Sequence, residues 1–576
     1  MKKRYFGKRI MAVTLAGAMM LGMCACGKEK ENNISETITE FLKQDETEAE
    51  ANDDNSKSDN TVYEMYVQDE EAVAADYDMA ENSVTGEIYY GESDEYYFGD
   101  ENFNTNEYNY LEENSWMSVA LSPLSTFAAD VDTASYSQIR TNITNGYSID
   151  PGMVRIEEMI NYFHYDYETP TGDDKFAVHM EYADCPWNKD TQLALVSLNT
   201  EKIDFSDAPE SNIVFLIDTS GSMFDENKLP LVQQSMCMLA ENLTDKDRVS
   251  IVTYAGGDEV VLEGAKGSDY YAISSAIEGL EAWGSTNGAA GIETAYEIAE
   301  KYFIKGGNNR VILATDGDLN VGVTSESALE QLIIEKKKSG VFLSVIGVGY
   351  GNYKDNKLET LADKGNGNYA YIDSIFEAKK ALVDDLGANM VTVAKDVKLQ
   401  VEFNPALVKG YRLIGYENRT MAAEDFNDDT KDGGEMGAGH SVTAIYEIIP
   451  ADSDMEAPDS DLKYTGNNAD SEIYGEGEYN DELFTLRVRY KEPDEDESKL
   501  IDFVCKKDAY LKEGSDNLRW AASVAAFGMY MKDSEYMGST DKKLIISLAE
   551  SVKDSDKDEY KQEYINLVNE YFEELD

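Results

Sequence analysis

The residues best suited to chemistry in this sequence follow one apolar segment. The apolar run 213–217 ends in Asp218-Thr-Ser220-Gly-Ser222, so that three oxygen-bearing side chains stand two positions apart. A run of this length, flanked by turn-forming residues, predicts a buried parallel strand, and ligand sites of open α/β sheets lie beyond the carboxyl ends of such strands. The same five residues also suit an ordinary turn and helix cap, so by themselves they leave a metal-free loop open.

Two later stretches strengthen the prediction of a metal site. Ser285 and Thr286 stand between two helical patterns, and a second apolar run, 311–314, ends in Thr315 and Asp316. If this run is a second strand of the same sheet, the two stretches supply a hydroxyl and a second carboxylate at the same edge. The three segments together therefore favour a metal site over capped loops.

At this point residues 211 to about 390 resemble a von Willebrand factor type A domain with an intact metal-ion-dependent adhesion site. All five motif positions match: Asp218, Ser220, Ser222, Thr286 and Asp316. The resemblance implies that the two serines bind the ion directly, the threonine binds directly or through water, and the two aspartates act mostly through bound waters. It also implies an open sixth position for a partner's carboxylate. An all-oxygen donor set with few protein ligands suits Mg²⁺ or Mn²⁺.

The elements around these residues predict an α/β domain inserted in a β-sandwich. Within 211–390, strand patterns over 248–254 and 341–348 alternate with helical patterns over 270–280, 289–303 and 328–338. Such alternation predicts a doubly wound, parallel, Rossmann-like sheet that is covered on both faces.

Strand-like segments on both sides of this domain predict the sandwich. They occupy 176–199 before the domain and 397–403, 441–449, 483–490 and 500–504 after it. Three helical patterns follow from Ser515 onward, and their apolar faces predict that they pack on the sandwich.

The domain organisation that follows has five parts. The segment 116–210 resembles the one that precedes this domain in a group of bacterial lipoproteins, and 391–576 resembles the domain of unknown function that follows it there. We therefore predict a lipoprotein signal peptide over 1–25, an acidic disordered tether over 26–115, and then these two segments on either side of the α/β domain 211–390.

The amino terminus predicts export and lipidation. Basic residues precede the apolar stretch 10–23, which has the length and small-residue ending of a secretory signal. The following Ala25-Cys26-Gly27 resembles a bacterial lipoprotein cleavage box with an acylated Cys26, and Cys24 is the weaker candidate. A plain secreted protein is the alternative. Lipidation would hold the chain on the extracytoplasmic face of a membrane.

Composition excludes several partners. The chain of 576 residues has room for roughly three or four domains, and its 50 basic against 113 acidic residues give a net charge of −63. This charge disfavours nucleic acid and nonspecific binding to anionic lipid. Gly347, Gly349 and Gly351 form a glycine-rich strand end, but no lysine follows in phosphate-loop register, so no nucleotide site is predicted.

Two further acidic stretches suggest metal sites less strongly. Asp130 and Asp132 could serve a second metal, but a helix-start turn is favoured. The loop 425–435 has the acid density of a calcium loop, yet Thr430 and Met436 stand where such a loop needs Gly and Glu. A solvated connection is therefore favoured over a structural Ca²⁺.

Three cysteines remain after the signal segment, namely Cys185, Cys237 and Cys505, without metal-ligand spacing. Cys237 lies on a helical apolar pattern and is predicted to pack in a core. A disulfide between Cys185 and Cys505 stays open.

Three hypotheses of function remain for the predicted site. The leading hypothesis is a noncatalytic adhesion or scaffold protein that captures a protein partner's Asp or Glu carboxylate through a bound Mg²⁺. The alternatives are a metal-dependent extracytoplasmic hydrolase and an envelope assembly factor. The hydrolase lacks an evident base, because none of the three histidines, His164, His179 and His440, lies in a recognised catalytic motif.

Overall fold

A computed structural model describes most of the chain after residue 110. It covers 111–575 apart from 130–131, 173, 204–207, 285–287, 318–325, 350–354, 386–390, 432, 459–478, 494 and 496. The predicted signal peptide, Cys26 and nearly all of the predicted tether lie outside the described residues.

The described residues form strands and helices in the following order. The strands are β1 (Met117–Ser118), β2 (Leu124–Ala128), β3 (Phe176–Asp184), β4 (Gln192–Thr200), β5 (Ser211–Asp218), β6 (Arg248–Tyr254), β7 (Asp258–Lys266), β8 (Asn308–Thr315), β9 (Phe342–Val348), β10 (Tyr369–Ile372), β11 (Thr392–Phe403), β12 (Val408–Ile414), β13 (Thr420–Met421), β14 (Gly434–Gly437), β15 (Ser441–Pro450), β16 (Glu482–Lys491) and β17 (Lys499–Lys506). The α-helices are α1 (Ala134–Asn145), α2 (Ile156–Asn161), α3 (Leu229–Ala240), α4 (Tyr270–Glu278), α5 (Gly288–Lys301), α6 (Glu326–Lys336), α7 (Asp355–Lys364), α8 (Ile375–Lys379), α9 (Asp516–Met531), α10 (Lys542–Glu550) and α11 (Glu559–Leu575).

The α/β domain is built on a six-stranded sheet in the order β10-β9-β8-β5-β6-β7. The neighbours from β10 to β6 are parallel, and β7 is an antiparallel edge strand. The predicted doubly wound fold is confirmed, with β7 as an addition to it. Only three residues connect β6 to β7, and so short a connection permits a hairpin but no parallel crossover.

Helices cover both faces of this sheet, as the apolar runs predict. Val214 and Leu216 of β5 pack on the face that α5, α6 and α7 cover. Ile213, Phe215 and Ile217 pack on the opposite face, which α3, α4 and α8 cover. Alternate residues of one strand thus enter two separate cores, which explains why β5 is apolar throughout.

The sandwich consists of the sheets β1-β12-β15-β4-β3 and β13-β2-β11-β16-β17, with β14 added beside β11. Within these sheets β4 pairs with β15 and β2 pairs with β11, so strands from before and after the α/β domain are neighbours. Phe127, Val196, Tyr446 and Leu486 lie in the apolar core that the two sheets share. The predicted insertion of the α/β domain into a sandwich is therefore confirmed.

Helices α9, α10 and α11 pack with α1 and α2 on the outer face of the first sandwich sheet. Trp520 and Tyr564 lie in one core with Leu193, Leu195 and Ile445 of that sheet. The predicted helical carboxyl-terminal segment is confirmed. No helix among the described residues is long and apolar enough to cross a membrane.

Asp132 has a structural role immediately before α1. Its Oδ1 accepts a hydrogen bond from the backbone N–H of Tyr369 at 3.0 Å, and its Oδ2 accepts one from Arg419 Nη2 at 3.1 Å. The carboxylate thus joins α1, the α/β sheet and the sandwich. Asp130 lies outside the described residues.

The acidic loop before β14 is neutralised by basic side chains. Lys398 Nζ donates to the backbone carbonyl of Asp428 at 2.7 Å, and Arg489 Nη2 donates to Asp429 Oδ1 at 2.8 Å. Among the residues that the structure describes, no group of three or more His, Cys, Asp or Glu side chains could hold a metal ion. Asp428 and Asp429 of this loop thus accept hydrogen bonds from basic side chains of β11 and β16.

The three cysteines of the body are free thiols. Cys185 lies in the core beneath the helices, whereas Cys505 lies in the core between the sandwich sheets. The open disulfide pairing between them is therefore absent, because the two side chains belong to different cores. Cys237 is partly buried against the sheet face beneath α3.

Candidate metal centre

Asp218 is the last residue of β5, and its carboxylate is buried and oriented by three donors. Its Oδ1 accepts from the backbone N–H of Ser220 at 2.9 Å, and its Oδ2 accepts from the Tyr254 hydroxyl at 3.1 Å and from Thr315 Oγ1 at 3.2 Å. Burial, together with the nearby charge of Asp316, raises the pKa of Asp218 to about 6, although the hydrogen bonds from Ser220 and Tyr254 oppose this shift. No described cation pairs with Asp218, so the carboxylate is a buried acceptor with only neutral donors around it.

The two serines of the motif lie together just beyond this carboxylate. Ser220 Oγ and Ser222 Oγ are 3.0 Å apart, and the short 3₁₀ helix Gly221–Phe224 turns the chain there. The backbone N–H of Trp283 donates to the carbonyl of Thr219 at 2.7 Å, which holds the turn against the loop before α5. Ser220 is buried whereas Ser222 is exposed. The hydroxyl pair therefore has one side toward the protein and one toward solvent.

Asp316, immediately after β8, is buried beside a lysine that the sequence did not mark. Lys228 Nζ donates to Asp316 Oδ2 at 3.0 Å and to the backbone carbonyl of Ser222 at 2.8 Å. The stem of Lys228 runs close to Gly349, where a Cβ would lie 2.6 Å from Lys228 Cε and the backbone φ is +83°. A glycine is required there because the lysine needs both the space and this backbone conformation.

The structure brings four of the five predicted residues to one edge of the sheet: Asp218, Ser220, Ser222 and Asp316. Thr286 lies outside the described residues. Sequence reasoning missed Lys228, because a lysine in an acidic turn is ordinarily solvated. It also missed Tyr254, although Tyr254 ends β6 in register with Asp218.

The donor set fits a divalent cation. Asp218 offers a buried carboxylate that pairs with no cation in the described part of the chain, and the two serine hydroxyls beside it are neutral oxygens. Hard oxygen donors suit Mg²⁺ or Mn²⁺ better than soft metals. The serines would hold the ion directly, with Asp218 and Asp316 acting around it. Lys228 would remain as a second positive charge at Asp316.

Two large aromatic side chains flank this edge in exposed positions. Phe224 ends the 3₁₀ helix that contains Ser222 and is 78% exposed. Trp283, whose backbone contacts Thr219, is 84% exposed. Exposed aromatic side chains cost free energy in water and are enriched where proteins bind partners. Among the described residues, the candidate metal centre thus has two exposed aromatic side chains near it in the chain.

Comparison with known families agrees with this architecture. The model of the von Willebrand factor type A domain matches residues 212–385, and a model named von Willebrand factor matches 102–195. The model described as "Uncharacterized protein YfbK, C-terminal" matches 388–573. The three matches follow one another along the chain.

Individual relatives span different shares of the chain. The "Uncharacterized protein YfbK" of Escherichia coli (strain K12) is 40% identical over 471 residues, which is 81% of this chain and 80% of that protein. The "Uncharacterized protein sll0103" of Synechocystis is 29% identical over 29% of this chain and 39% of that protein. Among solved structures, a von Willebrand factor type A protein from Catenulispora acidiphila is similar with a TM-score of 0.38 and 17% identity, covering 66% of this chain and 88% of that one.

Proposed function

This chain belongs to the family of YfbK and contains a von Willebrand factor type A domain, and from this premise we propose that it captures an acidic group of a protein partner through a divalent ion. A domain of this type suits a protein-interaction or adhesion scaffold. The observation that carries the proposal is the buried carboxylate of Asp218, which pairs with no described cation and accepts from the backbone of Ser220, whose hydroxyl lies 3.0 Å from that of the exposed Ser222. We place the protein on the extracytoplasmic face of a membrane.

In the proposed site, some residues bind the ion, and the ion binds the partner. The hydroxyls of Ser220 and Ser222 hold the ion, and the donors to Asp218 keep that carboxylate in place for it. When bound, the ion supplies an electrophilic position that a partner's carboxylate can occupy. Neutral hydroxyl ligands leave more of the ion's charge for the partner than carboxylates would.

Charge and exposure restrict the partner. The net charge of −63 repels acidic surfaces, but salt screens exposed charges beyond about 8 Å, whereas the ion acts at contact distance. A partner therefore presents one Asp or Glu among neutral, apolar or basic residues. The exposed rings of Phe224 and Trp283 favour apolar neighbours of that carboxylate.

The proposal is of a noncatalytic protein, and the positions of the histidines support it. His179 lies on β3 of the sandwich, where its Nε2 is 3.0 Å from Glu181 Oε1. His164 and His440 line a cavity on the far side of the α/β domain. None of the three is a base beside Asp218, and a hydrolase that uses the ion needs such a base or an equivalent.

A pair of synthetic peptides tests partner capture. One peptide carries a single Asp flanked by Leu and Lys, and the other has Asn in its place. We expect the full chain to bind the Asp peptide in Mg²⁺ and to lose this binding in EDTA, and we expect the Asn peptide not to bind. Ser222→Ala and Thr286→Ala should each weaken binding by at least about tenfold, because each removes a hydroxyl that binds the ion directly or, for Thr286, directly or through water. Equal binding of both peptides, or binding that survives EDTA, would contradict the proposal.

A matched variant in the acidic loop serves as the control. Asp425 is an acidic residue that lies on the sandwich and not on the α/β sheet, and Lys431 pairs with it at 3.5 Å. Asp425→Ala removes one negative charge, as a variant of Asp218 does, but leaves the site intact. It should bind the Asp peptide as the wild type does.

Membrane attachment through Cys26 is a separate part of the proposal. It rests on the basic, apolar and small-residue order of the first residues and on the Ala25-Cys26-Gly27 box. Cys26→Ser should release the protein from the membrane fraction and abolish labelling with a fatty acid precursor, while Cys24→Ser should leave both unchanged. Persistent labelling of Cys26→Ser would show that Cys26 is not the acylated residue.

A further inference from the structure

A second polar site lies where the α/β domain meets the rest of the chain. It is a cavity of about 80 Å³ that the amino-terminal halves of β8 and β9, the loop before β15 and the segment after α8 enclose. Polar side chains in its wall include Asn161, Arg310, Ser344, Lys380, His440 and Ser441. Arg310 precedes Asp316 by six residues along β8, which places the cavity roughly 20 Å from the candidate metal centre.

Arg310 is the unusual residue of this wall. It is 2% exposed, and its Nη1 donates to Ser344 Oγ at 2.5 Å, while its Nε has no hydrogen-bond partner. The guanidinium lies 5.7 Å from the centre of the Phe342 ring and forms no ion pair with any described residue. Burial lowers the pKa of Arg310 to about 10, and the charge of Glu435 opposes this effect only in part. The side chain is therefore a buried cation at neutral pH.

The other charged groups of the cavity are already paired. Lys380 Nζ lies 2.5 Å from Asp385 Oδ2, and His164 Nε2 lies 2.7 Å from the other oxygen of the same carboxylate. Glu377 Oε2 accepts from Arg140 Nη2 at 2.6 Å. Both carboxylates that line the cavity thus pair with other cations, Glu377 sharing Arg140 with Asp373, and neither pairs with the guanidinium of Arg310.

An isolated buried charge is strongly unfavourable unless an opposite charge neutralises it. We propose that the cavity binds a small inorganic oxyanion, of the phosphate or sulfate class, which pairs with the guanidinium of Arg310. The planar fork of an arginine matches two oxygens of such an anion, whereas chloride offers a single acceptor. One water needs about 10–15 Å³ of such space, so the cavity has room for an oxyanion and water.

The bound anion would join two parts of the molecule. Arg310 and Ser344 belong to the α/β domain, whereas His440 and Ser441 belong to the sandwich. An anion between them would contribute to the stability of this junction. Binding of this anion would require neither the metal nor the proposed partner.

Thermal unfolding of the full chain tests the site. The wild type is titrated with inorganic phosphate, and separately with sulfate, while NaCl keeps the ionic strength constant. We expect a saturable rise in melting temperature at millimolar anion and a measurable heat of binding in calorimetry. Arg310→Gln should weaken this binding by at least about tenfold, because it removes the charged donor. Arg489→Gln, which changes an arginine on the sandwich surface, should respond as the wild type does.

A second variant tests anion binding by the cavity even if Arg310→Gln does not fold. Ser344→Asp places a carboxylate beside Arg310, where Ser344 Oγ already accepts from Nη1. This internal counter-charge should raise the melting temperature in anion-free buffer and abolish the response to phosphate and sulfate. The proposal is overturned if the wild type shows no saturable response, if chloride alone gives the same response, or if Ser344→Asp responds as the wild type does.

Discussion

Buried charges have different partners in two regions of the molecule. One region is the candidate metal centre, and the other is the junction between the α/β domain and the rest of the chain. At the centre, the carboxylate of Asp218 meets only neutral donors, and the neighbouring site opens to solvent at Ser222. At the junction, Arg140 pairs with both Asp373 and Glu377 at 2.6 Å, and all three side chains are nearly buried.

The ion pairs at the junction hold two parts of the chain together, whereas the polar groups at the centre can bind a ligand. The ion pairs of Arg140 join α1 to the α/β domain, so these charges are satisfied within the chain, unlike the charge of Arg310 at the same junction. The centre keeps a carboxylate and hydroxyls available at a sheet edge whose strands are held by apolar packing. A site on a rigid scaffold can therefore keep polar groups free for a ligand without losing the fold.

The largest expected effect comes from breaking the junction. Arg140→Ala removes the cation between Asp373 and Glu377 and leaves both carboxylates buried. We expect the free energy of unfolding to fall by about 3 to 5 kcal/mol, as for other broken buried ion pairs. Urea denaturation followed by circular dichroism measures this change.

A surface pair provides the comparison for that variant. Arg487 Nη2 lies 2.8 Å from Glu402 Oε2, and both side chains are at least about one third exposed. Arg487→Ala should lower the free energy of unfolding by less than about 1 kcal/mol. Equal losses in the two arginine variants would show that the junction does not depend on the Arg140 pairs.

The next largest effect is a loss of stability at the centre that, unlike a loss at the junction, should depend on Mg²⁺. Lys228→Ala removes the ammonium that lies 3.0 Å from Asp316 Oδ2. In EDTA we expect a loss of about 3 kcal/mol in the free energy of unfolding. Mg²⁺ should restore part of this loss, because the ion replaces the missing positive charge. No such rescue is expected for Arg140→Ala, and a loss in Lys228→Ala that Mg²⁺ leaves unchanged would argue against an ion beside Asp316.

A smaller change in stability, which depends on pH, is expected from His440 at the junction. Burial lowers the pKa of His440 from 6.5 to about 4; Lys380 and His164 lower it as well, and Asp385 opposes them. Because the folded-state pKa is depressed, the neutral histidine favours folding above pH 6.5, and this contribution is lost as the pH falls toward 4. Between pH 7.5 and 5.5 the loss should be about 1 kcal/mol.

The measurement compares His440→Gln with the wild type in phosphate-free buffer. As the pH falls from 7.5 to 5.5, the free energy of unfolding should fall less in the variant than in the wild type. His179→Gln is the control, since His179 is only partly buried and lies beside Glu181. A His440→Gln protein that loses stability in parallel with the wild type would rule out this titration.

Much of the fold could be predicted because burial leaves a periodic signal. β5 and β8 are apolar on both faces, and the long helices carry clear apolar faces, so their existence and type followed from the pattern. β7 could not be predicted in the same way, because most of its residues are exposed or half-exposed and its apolar positions do not alternate regularly. β10 has only four residues, which is too short for a period to show.

The site was predictable only where its residues belong to one local motif. Asp218, Ser220 and Ser222 lie within five positions, so spacing alone suggested their convergence. Lys228 and Tyr254 reach the same place through the packing of α3 and the register of β6. Nothing in the sequence near either residue indicates that contact, because it depends on distances set by the whole domain.

The binding of Mg²⁺ by the candidate centre is the central claim, and isothermal titration calorimetry of the full chain tests it most directly. The wild type should give a saturable heat with Mg²⁺, Asp425→Ala should give the same heat, and Asp218→Ala should give none while keeping the circular dichroism spectrum of the wild type. An absence of Mg²⁺ and Mn²⁺ heat in the wild type, or an unchanged heat in Asp218→Ala, would contradict the account.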